Sequence, residues 1–435
     1  MEQQGLVTAY AYDLKKLNLY TSAGQVIDIR NMALDINLYE DLFSPCMTAT
    51  MRIGDALDLI SNFKLHGNEF VEIEIDKPSL ERPISKVFRI YKISDRDFGT
   101  SIQNYTLHMC SEEMMISPQI QISKSYRALT VSQMIKDILN TYLHVDSKKI
   151  NKITDTSGIY NVIIPKLNPL EAILWLGTRA YSENGSLYFF YENRDGFNFT
   201  SYEDLLKKST YAKYFRKSKT INDPASNLQT FTFLKVIEDF DIMKASRYGS
   251  FSSSLNVLDI VNKSYTKYPF NAIGFKNVGI LNKEVTLNNF KNRLGTSFYE
   301  SFDAMRKYVV ATDSDPTSVP MFAQNWLSQT ASKLGQLHLF KMVGTIPGDV
   351  LMKAGSIIEV EMQDFIPQDQ RNGPNSTQKS DTNPVRSGKY LVSAVHHQII
   401  GPTYTTVVEL LSDSINDYMP VADNKNADLN RLLVS

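Results

Sequence analysis

The same three-strand pattern occurs near both ends of this chain. In each copy a glycine precedes a strand with glutamates at every second position, a lysine-led apolar strand follows, and a Tyr-Thr strand ends the unit. The first copy comprises Gly67–Ile75, Ser85–Tyr91 and Asn104–Met109. The second copy comprises Gly355–Met362, Ser387–Val392 and Thr403–Val408. A chain with this repeat has two similar sheets, and each has one apolar face that must be buried. This requirement constrains the fold more than any other feature.

The glutamates of the pattern indicate which face of each sheet is wet. Side chains alternate between the two faces of a strand, so Glu72 and Glu74, like Glu359 and Glu361, lie on a solvated face. The apolar residues between them lie on the opposite, buried face. Any antiparallel three-stranded meander produces such a pattern, and so does a β-barrel or sandwich duplicated within one chain. Both interpretations stay open from the pattern alone, although a duplicated barrel favours an assembly part over a catalyst.

The composition is that of a globular protein with full cores. The chain has 435 residues, of which 43% are hydrophobic and 21% charged, and this length has room for about three domains of the usual size. A net charge of −1 argues against a dedicated nucleic-acid-binding protein, whose domains are usually strongly basic. The charge does not argue against a protein that merely surrounds nucleic acid.

The cysteines and the first residues bear on the compartment. Cys46 and Cys110 lie in strand-like sequence, and buried free thiols are favoured over a disulfide. Residues 1–4 lack the basic and apolar regions of a signal peptide. No apolar run approaches the roughly 20 residues of a membrane-spanning helix. We expect a protein that is made in a cytosol and has no membrane anchor.

Local signals predict several elements between the two copies. Thr130 is placed to cap a helix, and Asn168 caps another that starts with Pro169. A hairpin is predicted over 186–200, followed by a short helix capped by Ser201. Further predictions are a turn at Asp97–Gly99, a long strand over 228–237, and a helix from Met321 to about Gly335.

A search for chemistry leads to no active site. His396 and His397 look like a metal pair, but adjacent strand residues point to opposite faces, so one packed and one exposed histidine is the favoured interpretation. The pairs Glu112–Glu113 and Glu72/Glu74 are candidates for the paired carboxylates of a glycan hydrolase, but nothing around them suggests an acid whose pKa is shifted by burial. We therefore predict no catalytic, cofactor-binding or metal-binding residue, and no cofactor.

One basic run is a candidate for contact with phosphates or with an acidic protein surface. It is interleaved with aromatic residues, and a solvated helix end and loop is the favoured interpretation. The run comprises Lys207, Lys208, Lys213, Arg216, Lys217 and Lys219.

The order and spacing of several segments resemble the central baseplate hub proteins of contractile-tailed bacteriophages. These proteins share their core with the N-terminal part of type VI secretion spike proteins. The matching segments are Tyr39–Pro45, Gly67–Ile75, Leu167–Ser201, Asp241–Asp259, Gly344–Gly348, Ala354–Gly355, Ser387–His396 and Tyr404–Ser412.

The resemblance implies a β-rich α+β fold with two similar antiparallel β-barrels of the tail-tube type and α+β insertion domains. The expected domains are a first barrel (1–112), an α+β domain (113–227), a strand joining the second barrel (228–240), the remainder of the insertion domain (241–320), a second barrel (321–420) with a polar loop at 367–386, and a flexible tail (421–435).

The resemblance also implies a function. Three chains with two barrels each form a pseudo-sixfold collar that adapts a hexameric tail tube to a trimeric central spike. The expected protein is a structural, non-enzymatic homotrimer in the tail baseplate of a virion, synthesised in the bacterial host cytoplasm. Its expected partners are the tail tube protein, the central spike protein and, as possible additions, baseplate wedge or tape-measure proteins, with DNA passing through the bore without specific binding. The alternatives are a tail-associated peptidoglycan or glycan hydrolase and a core component of a contractile secretion system.

Overall fold

The fold is β-rich. A computed structural model describes residues 9–77, 82–216, 228–239, 241–272, 279–283, 306–312, 322–363, 382–383 and 385–416. The strands are β1 Asp13–Tyr20, β2 Val26–Asp28, β3 Ala33–Asp41, β4 Thr48–Asp55, β5 Phe70–Asp76, β6 Ile84–Phe98, β7 Gln103–Cys110, β8 Ser125–Leu129, β9 Ile150–Ile153, β10 Tyr160–Ile163, β11 Tyr188–Asn193, β12 Gly196–Ser201, β13 Lys213–Arg216, β14 Phe233–Glu238, β15 Ser252–Asp259, β16 Ser264–Asn271, β17 Arg306–Thr312, β18 Phe340–Pro347, β19 Ile357–Met362, β20 Gly388–Ile400 and β21 Thr403–Ser412. The helices are α1 Leu59–Asn62, α2 Glu112–Ile116, α3 Val131–Thr141, α4 Pro169–Gly177, α5 Tyr202–Leu206, α6 Ile242–Tyr248 and α7 Ala323–Leu337.

The first barrel has the strand order β3-β4-β7-β6-β5-β1. It closes through the residues just before β3, because β2 pairs with β1 and the Ile29 amide donates to the Leu17 carbonyl at 2.9 Å. Apolar side chains from every strand fill its interior, including Leu38, Met51 and Phe88. These residues come from the alternating apolar positions that the sequence pattern predicts to be buried.

The second barrel repeats this order as β14-β18-β21-β20-β19-β13. It too closes through the residues before its first strand: the Phe215 amide donates to the Gln229 carbonyl at 2.8 Å, and the Phe231 amide to the Phe215 carbonyl at 2.9 Å. Met342, Ile358 and Tyr390 are among its core residues. The β-rich α+β fold with two similar barrels, as predicted, is confirmed.

The two barrels correspond residue by residue along their central strands. Val71 lies opposite Phe88 in the first barrel, and Ile358 lies opposite Tyr390 in the second. Each long hairpin also has an irregularity at the same place, after Ile90 in β6 and after Val392 in β20. One pairing differs in direction, because β1 runs antiparallel to β5 whereas β13 runs parallel to β19.

The barrels are joined by a strand pairing that we call the internal joint. Residues Ala394–Ile400 of β20 pair antiparallel with Asp35–Asp41 of β3. The two barrels therefore form one continuous 13-stranded sheet. The first part of β20, up to Leu391, pairs instead with β19 of its own barrel. The first half of β20 thus pairs with β19 of the second barrel, and its second half pairs with β3 of the first barrel.

The α+β part packs helices α3 and α4 around strands β11 and β12. The predicted caps are confirmed: Thr130 Oγ1 accepts from the Gln133 amide at 3.4 Å, and Glu171 Oε2 accepts from the Asn168 amide at 3.3 Å. Ser201 Oγ accepts from the Asp204 amide at 3.1 Å at the start of α5. These caps satisfy amides that have no partner within the helix. A separate three-stranded sheet, β16-β15-β17, lies against α7.

Several local predictions differ from the structure. Strand β1 is absent from the sequence prediction, although it closes the first barrel. The predicted turn at Asp97–Gly99 is wrong for Asp97 and Phe98, because β6 continues through Phe98 and the turn spans Gly99–Ile102. The strand predicted over 228–237 begins at Phe233, and the helix predicted from Met321 begins at Ala323. The tail 421–435 and most of the loop 367–386 lie outside the described residues, and the domain boundaries stay a prediction.

Candidate interaction surfaces

The glutamates of the repeated pattern are ion-paired in both barrels. Lys16 Nζ on β1 lies 3.1 Å from Glu72 Oε1 and 3.0 Å from Glu74 Oε2. In the second barrel, Lys213 Nζ on β13 lies 3.4 Å from Glu359 Oε1 and 2.8 Å from Glu361 Oε2. The same lysine and glutamate triplet thus occupies corresponding strands.

This environment does not suit a general acid. The hydrogen bond from Tyr20 and the contact with Lys16 hold the pKa of Glu72 below its usual value, which keeps the carboxyl ionised. A general acid requires the opposite shift. The triplets are therefore suited to tying neighbouring strands together.

The second carboxylate pair is also used in ion pairs. Glu112 Oε1 lies 2.6 Å from Arg89 Nη2, and Glu113 Oε1 lies 2.7 Å from Lys149 Nζ. These contacts link α2 to strand β6 and to the residue just before β9. The two carboxylates thus have different partners.

His396 and His397 lie on opposite faces of β20. The His396 ring stacks on Tyr39 across the internal joint with centroids 4.5 Å apart, and its Nε2 is 2.8 Å from Asn37 Oδ1. His397 is buried beside Tyr404, with its Nδ1 2.8 Å from the phenol oxygen, and burial lowers its pKa to about 3. The expectation of one exposed histidine is wrong, because His396 is half-buried against β3. The His396 side chain thus contacts β3 across the internal joint, whereas the His397 side chain contacts β21 of its own barrel.

The basic run is dispersed over several contacts. Lys207 pairs with Asp204 at 3.2 Å, and Lys208 Nζ donates to the Gly355 carbonyl at 3.1 Å. Burial lowers the pKa of Lys208 to about 8. Lys213 belongs to the triplet of the second barrel, and Lys217 and Lys219 lie outside the described residues. The described part of the run is thus not a continuous cationic patch.

Where the first barrel, the β11–β12 hairpin and the second barrel meet, Glu40 is buried and the side chain of Arg194 is 7% exposed. Glu40 accepts from the Arg194 amide at 2.7 Å and from the Ala354 amide at 2.8 Å. Burial raises the pKa of Glu40 to about 7. The Arg194 guanidinium donates to the carbonyls of Val350 and Pro83. Sequence reasoning missed both residues, because a turn arginine and a strand-end glutamate are usually exposed.

Within the described ranges, no group of three or more His, Cys, Asp or Glu side chains is arranged to hold a metal ion. No helix in that part of the chain is long and apolar enough to cross a membrane. Cys46 and Cys110 are free and buried, as predicted.

The strand edges without a partner strand in the described part of the chain include one on β6 and one on β14. The β6 edge, Lys92–Phe98, lies beyond the last residue that pairs with β5, and β7 occupies the other side of the strand. The β14 edge, Phe233–Glu238, lies on the side of β14 away from β18. Apolar side chains are exposed along both edges: Phe98 is 71% exposed, Phe233 52% and Ile237 50%. Unpaired edges of this kind are templates for pairing with another chain.

Two solved tail proteins have a similar fold. No protein-family model and no curated protein matches the sequence. A tail protein from Neisseria meningitidis MC58 is similar with a TM-score of 0.54 and 12% identity, over 93% of this chain and 97% of that one. The 43 kDa tail protein of prophage MuSo2 from Shewanella oneidensis is similar with a TM-score of 0.54 and 8% identity, over 92% of this chain and 99% of that one. At these identities the likeness is one of fold, and it extends over nearly the whole of each chain. The resemblance read from the sequence is thus confirmed at the level of fold: this chain has the fold of these two tail proteins.

Proposed function

We propose that this protein is a structural, non-enzymatic hub of a phage tail baseplate. Three copies form a ring that adapts a hexameric tail tube to a trimeric central spike and encloses the passage for DNA. The tail tube and central spike proteins are its direct partners, and wedge or tape-measure proteins are further candidates. The protein resides in the virion tail.

One observation carries this proposal: the two barrels have the same strand order, and the β5–β6 ladder of the first has the same register as the β19–β20 ladder of the second. A threefold assembly of such a chain presents six similar barrels. Such a ring matches sixfold symmetry on one side and threefold symmetry on the other. A chain with one barrel would match only one of the two symmetries.

The charges of the molecule support passage of DNA without binding. Each barrel balances its solvated glutamates with a lysine from the neighbouring strand. The net charge is −1. Because affinity for DNA rises with the number of phosphates that lysine and arginine neutralise, a nearly neutral ring leaves DNA free to move. The ion-paired carboxylates likewise support a non-enzymatic role.

The mass of the purified full-length chain tests the proposal. We expect light scattering to give three times the 49.4 kDa of one chain, and electron microscopy to show a ring with six lobes. A protein that stays monomeric at all accessible concentrations contradicts the proposal, as does a ring with another number of copies. Antibody labelling of intact particles away from the tail tip contradicts the location.

A further inference from the structure

Each copy of this chain has two unpaired edges that match a pairing already made inside it. We propose that the β6 edge of one copy pairs antiparallel with the β14 edge of a second copy, so that the internal joint is repeated between chains. This inference rests on the proposed function, because it names the surface through which neighbouring copies of the ring meet.

Strands β6 and β20 correspond in their near halves and again at their far ends, although β6 has a second irregularity, between Ser94 and Asp97, that β20 lacks. The near half of each pairs with a glutamate-bearing strand, which is β5 for β6 and β19 for β20. An irregularity follows in each, and the far half continues alongside the next strand of the hairpin. On its other side the far half of β20 pairs with β3. The far half of β6 has no such partner in the described part of the chain. The β6 edge is therefore equivalent to the edge of β20 that pairs with β3, but it has no partner strand.

Strands β14 and β3 correspond as well. Each is the first strand of its barrel and lies beside the second strand, which is β18 for β14 and β4 for β3. Leu107 of β7 and Val408 of β21 occupy equivalent positions in the two barrels. Met51 of β4 lies opposite Leu107, and Gly344 of β18 lies opposite Val408, so Met51 and Gly344 are equivalent as well. Since Met51 pairs with Ile36 and Gly344 with Leu234, Leu234 takes the place of Ile36. Lys235 then takes the place of Asn37.

The internal joint predicts the register of the pairing between copies. Within one chain, Gln398 lies opposite Asn37 and Ile399 lies opposite Ile36. Asp97 and Phe98 of β6 lie opposite Asn104 and Gln103 of β7. Gln398 and Ile399 of β20 lie opposite the equivalent residues of β21, Thr405 and Tyr404. Asp97 therefore corresponds to Gln398, and Phe98 corresponds to Ile399.

The resulting pairs between copies are chemically complementary. Asp97 lies opposite Lys235 and Phe98 lies opposite Leu234, which gives one pair of opposite charges and one apolar pair. Cross-strand pairs of both kinds stabilise a sheet. Neither Asp97 nor Lys235 forms an ion pair within the described residues of its own chain, so each is available to the other.

Exposure also distinguishes the two kinds of joint. In the internal joint, Ile399 is 3% exposed and Leu38 is fully buried. Their counterparts on the free edges, Phe98 and Val236, are 71% and 37% exposed. Apolar side chains at these positions are thus buried in the internal joint and exposed on the free β6 and β14 edges. A second copy paired at these edges covers them.

The geometry favours a closed ring over a twofold dimer. The β6 edge belongs to the first barrel and the β14 edge to the second, so the surface that one copy offers differs from the surface that it receives. Such head-to-tail contacts form a ring when the rotation between copies closes. Around a ring of three, internal joints alternate with joints between copies, and every barrel meets its neighbours in the same way.

Charge reversal tests the pairing in the full-length protein. Asp97→Lys and Lys235→Asp each place like charges opposite one another, and the double variant restores opposite charges. Lys166→Asp, an exposed charge reversal away from both edges, is the control. The energies of cross-strand charge pairs correspond to about a fivefold loss per joint. Three joints per ring then give about a hundredfold rise in the dissociation constant of the trimer, measured by sedimentation equilibrium.

The inference is supported if both single variants weaken the trimer, the double variant restores it, and the control does not change it. Phe98→Asp, which places a carboxylate opposite Leu234, is expected to weaken the trimer further. Circular dichroism checks that each variant is folded. Amide exchange of the wild-type trimer is expected to be slow over residues 92–98 and 233–238, and fast in the folded variants.

The outcomes separate this inference from the proposed function. A wild-type trimer that all of these variants leave intact overturns the pairing but not the hub. Loss of the trimer in the control to the same extent, or failure of the double variant to restore it, also overturns the pairing. A wild-type protein that never forms trimers overturns both.

Discussion

Glu40 makes the stability of this protein depend on pH in a defined direction. Burial raises its pKa from 4.5 to about 7. A raised carboxyl pKa contributes stability that is fully present below the unfolded value and is lost as pH rises through the folded value. Stability from this residue is therefore present below about pH 4.5 and lost as pH approaches and passes 7.

The size of the effect follows from the two pKa values. At about 1.36 kcal/mol for each pKa unit, the full difference corresponds to roughly 3.4 kcal/mol. Between about pH 5 and about pH 8, roughly 2.5 kcal/mol of it is lost. Glu40→Gln removes the titrating group. It also turns an amide donor toward a backbone N–H, which costs about 1–3 kcal/mol, but this cost is the same at both pH values.

The assay is urea unfolding of wild type and Glu40→Gln at both pH values, at one protein concentration, followed by fluorescence and circular dichroism. We expect the free energy of unfolding of the wild type to fall by roughly 2.5 kcal/mol more than that of the variant. Glu72→Gln is the control: the pKa of Glu72 is lowered, so its contribution is lost only as pH falls through the acidic range. Equal pH dependence in wild type and Glu40→Gln would refute the reasoning.

Three further substitutions test other parts of the structure by the same unfolding measurement. Arg194→Ala removes the donor to the carbonyls of Val350, which is buried, and Pro83, which is half-buried, and is expected to cost about 1–3 kcal/mol because these acceptors lose their partner; a cost below about 0.5 kcal/mol contradicts this role. Gly348→Ala places a Cβ in the buried Tyr404 ring and should cost about 1–3 kcal/mol, whereas Gly54→Ala meets only ordinary contacts and should be much milder. Thr130→Ala removes the cap of α3 and should cost about 1 kcal/mol, and an unchanged stability would show that the cap is dispensable.

Local patterns were enough to predict most elements of the fold. The strands around Glu72 and Glu359 follow from a period of two, and the helices after Thr130 and Asn168 follow from their caps. Both signals depend on residues a few positions apart, so they can be read without knowledge of distant contacts. The duplication of the barrels was visible for the same reason.

The tertiary structure decided how these elements meet. The pairing of β20 with β3 joins residues more than 350 positions apart, as the His396–Asn37 contact shows, and no local pattern encodes it. The direction of β13 beside β19 and the burial of Glu40 and Arg194 were likewise decided by packing. Strand β6 shows the limit most directly: its apolar alternation predicts a strand, but only the arrangement of its neighbours leaves one edge bare. Periodicity specifies which face of a strand is buried, whereas the choice of partner depends on the free energy of bringing distant segments together.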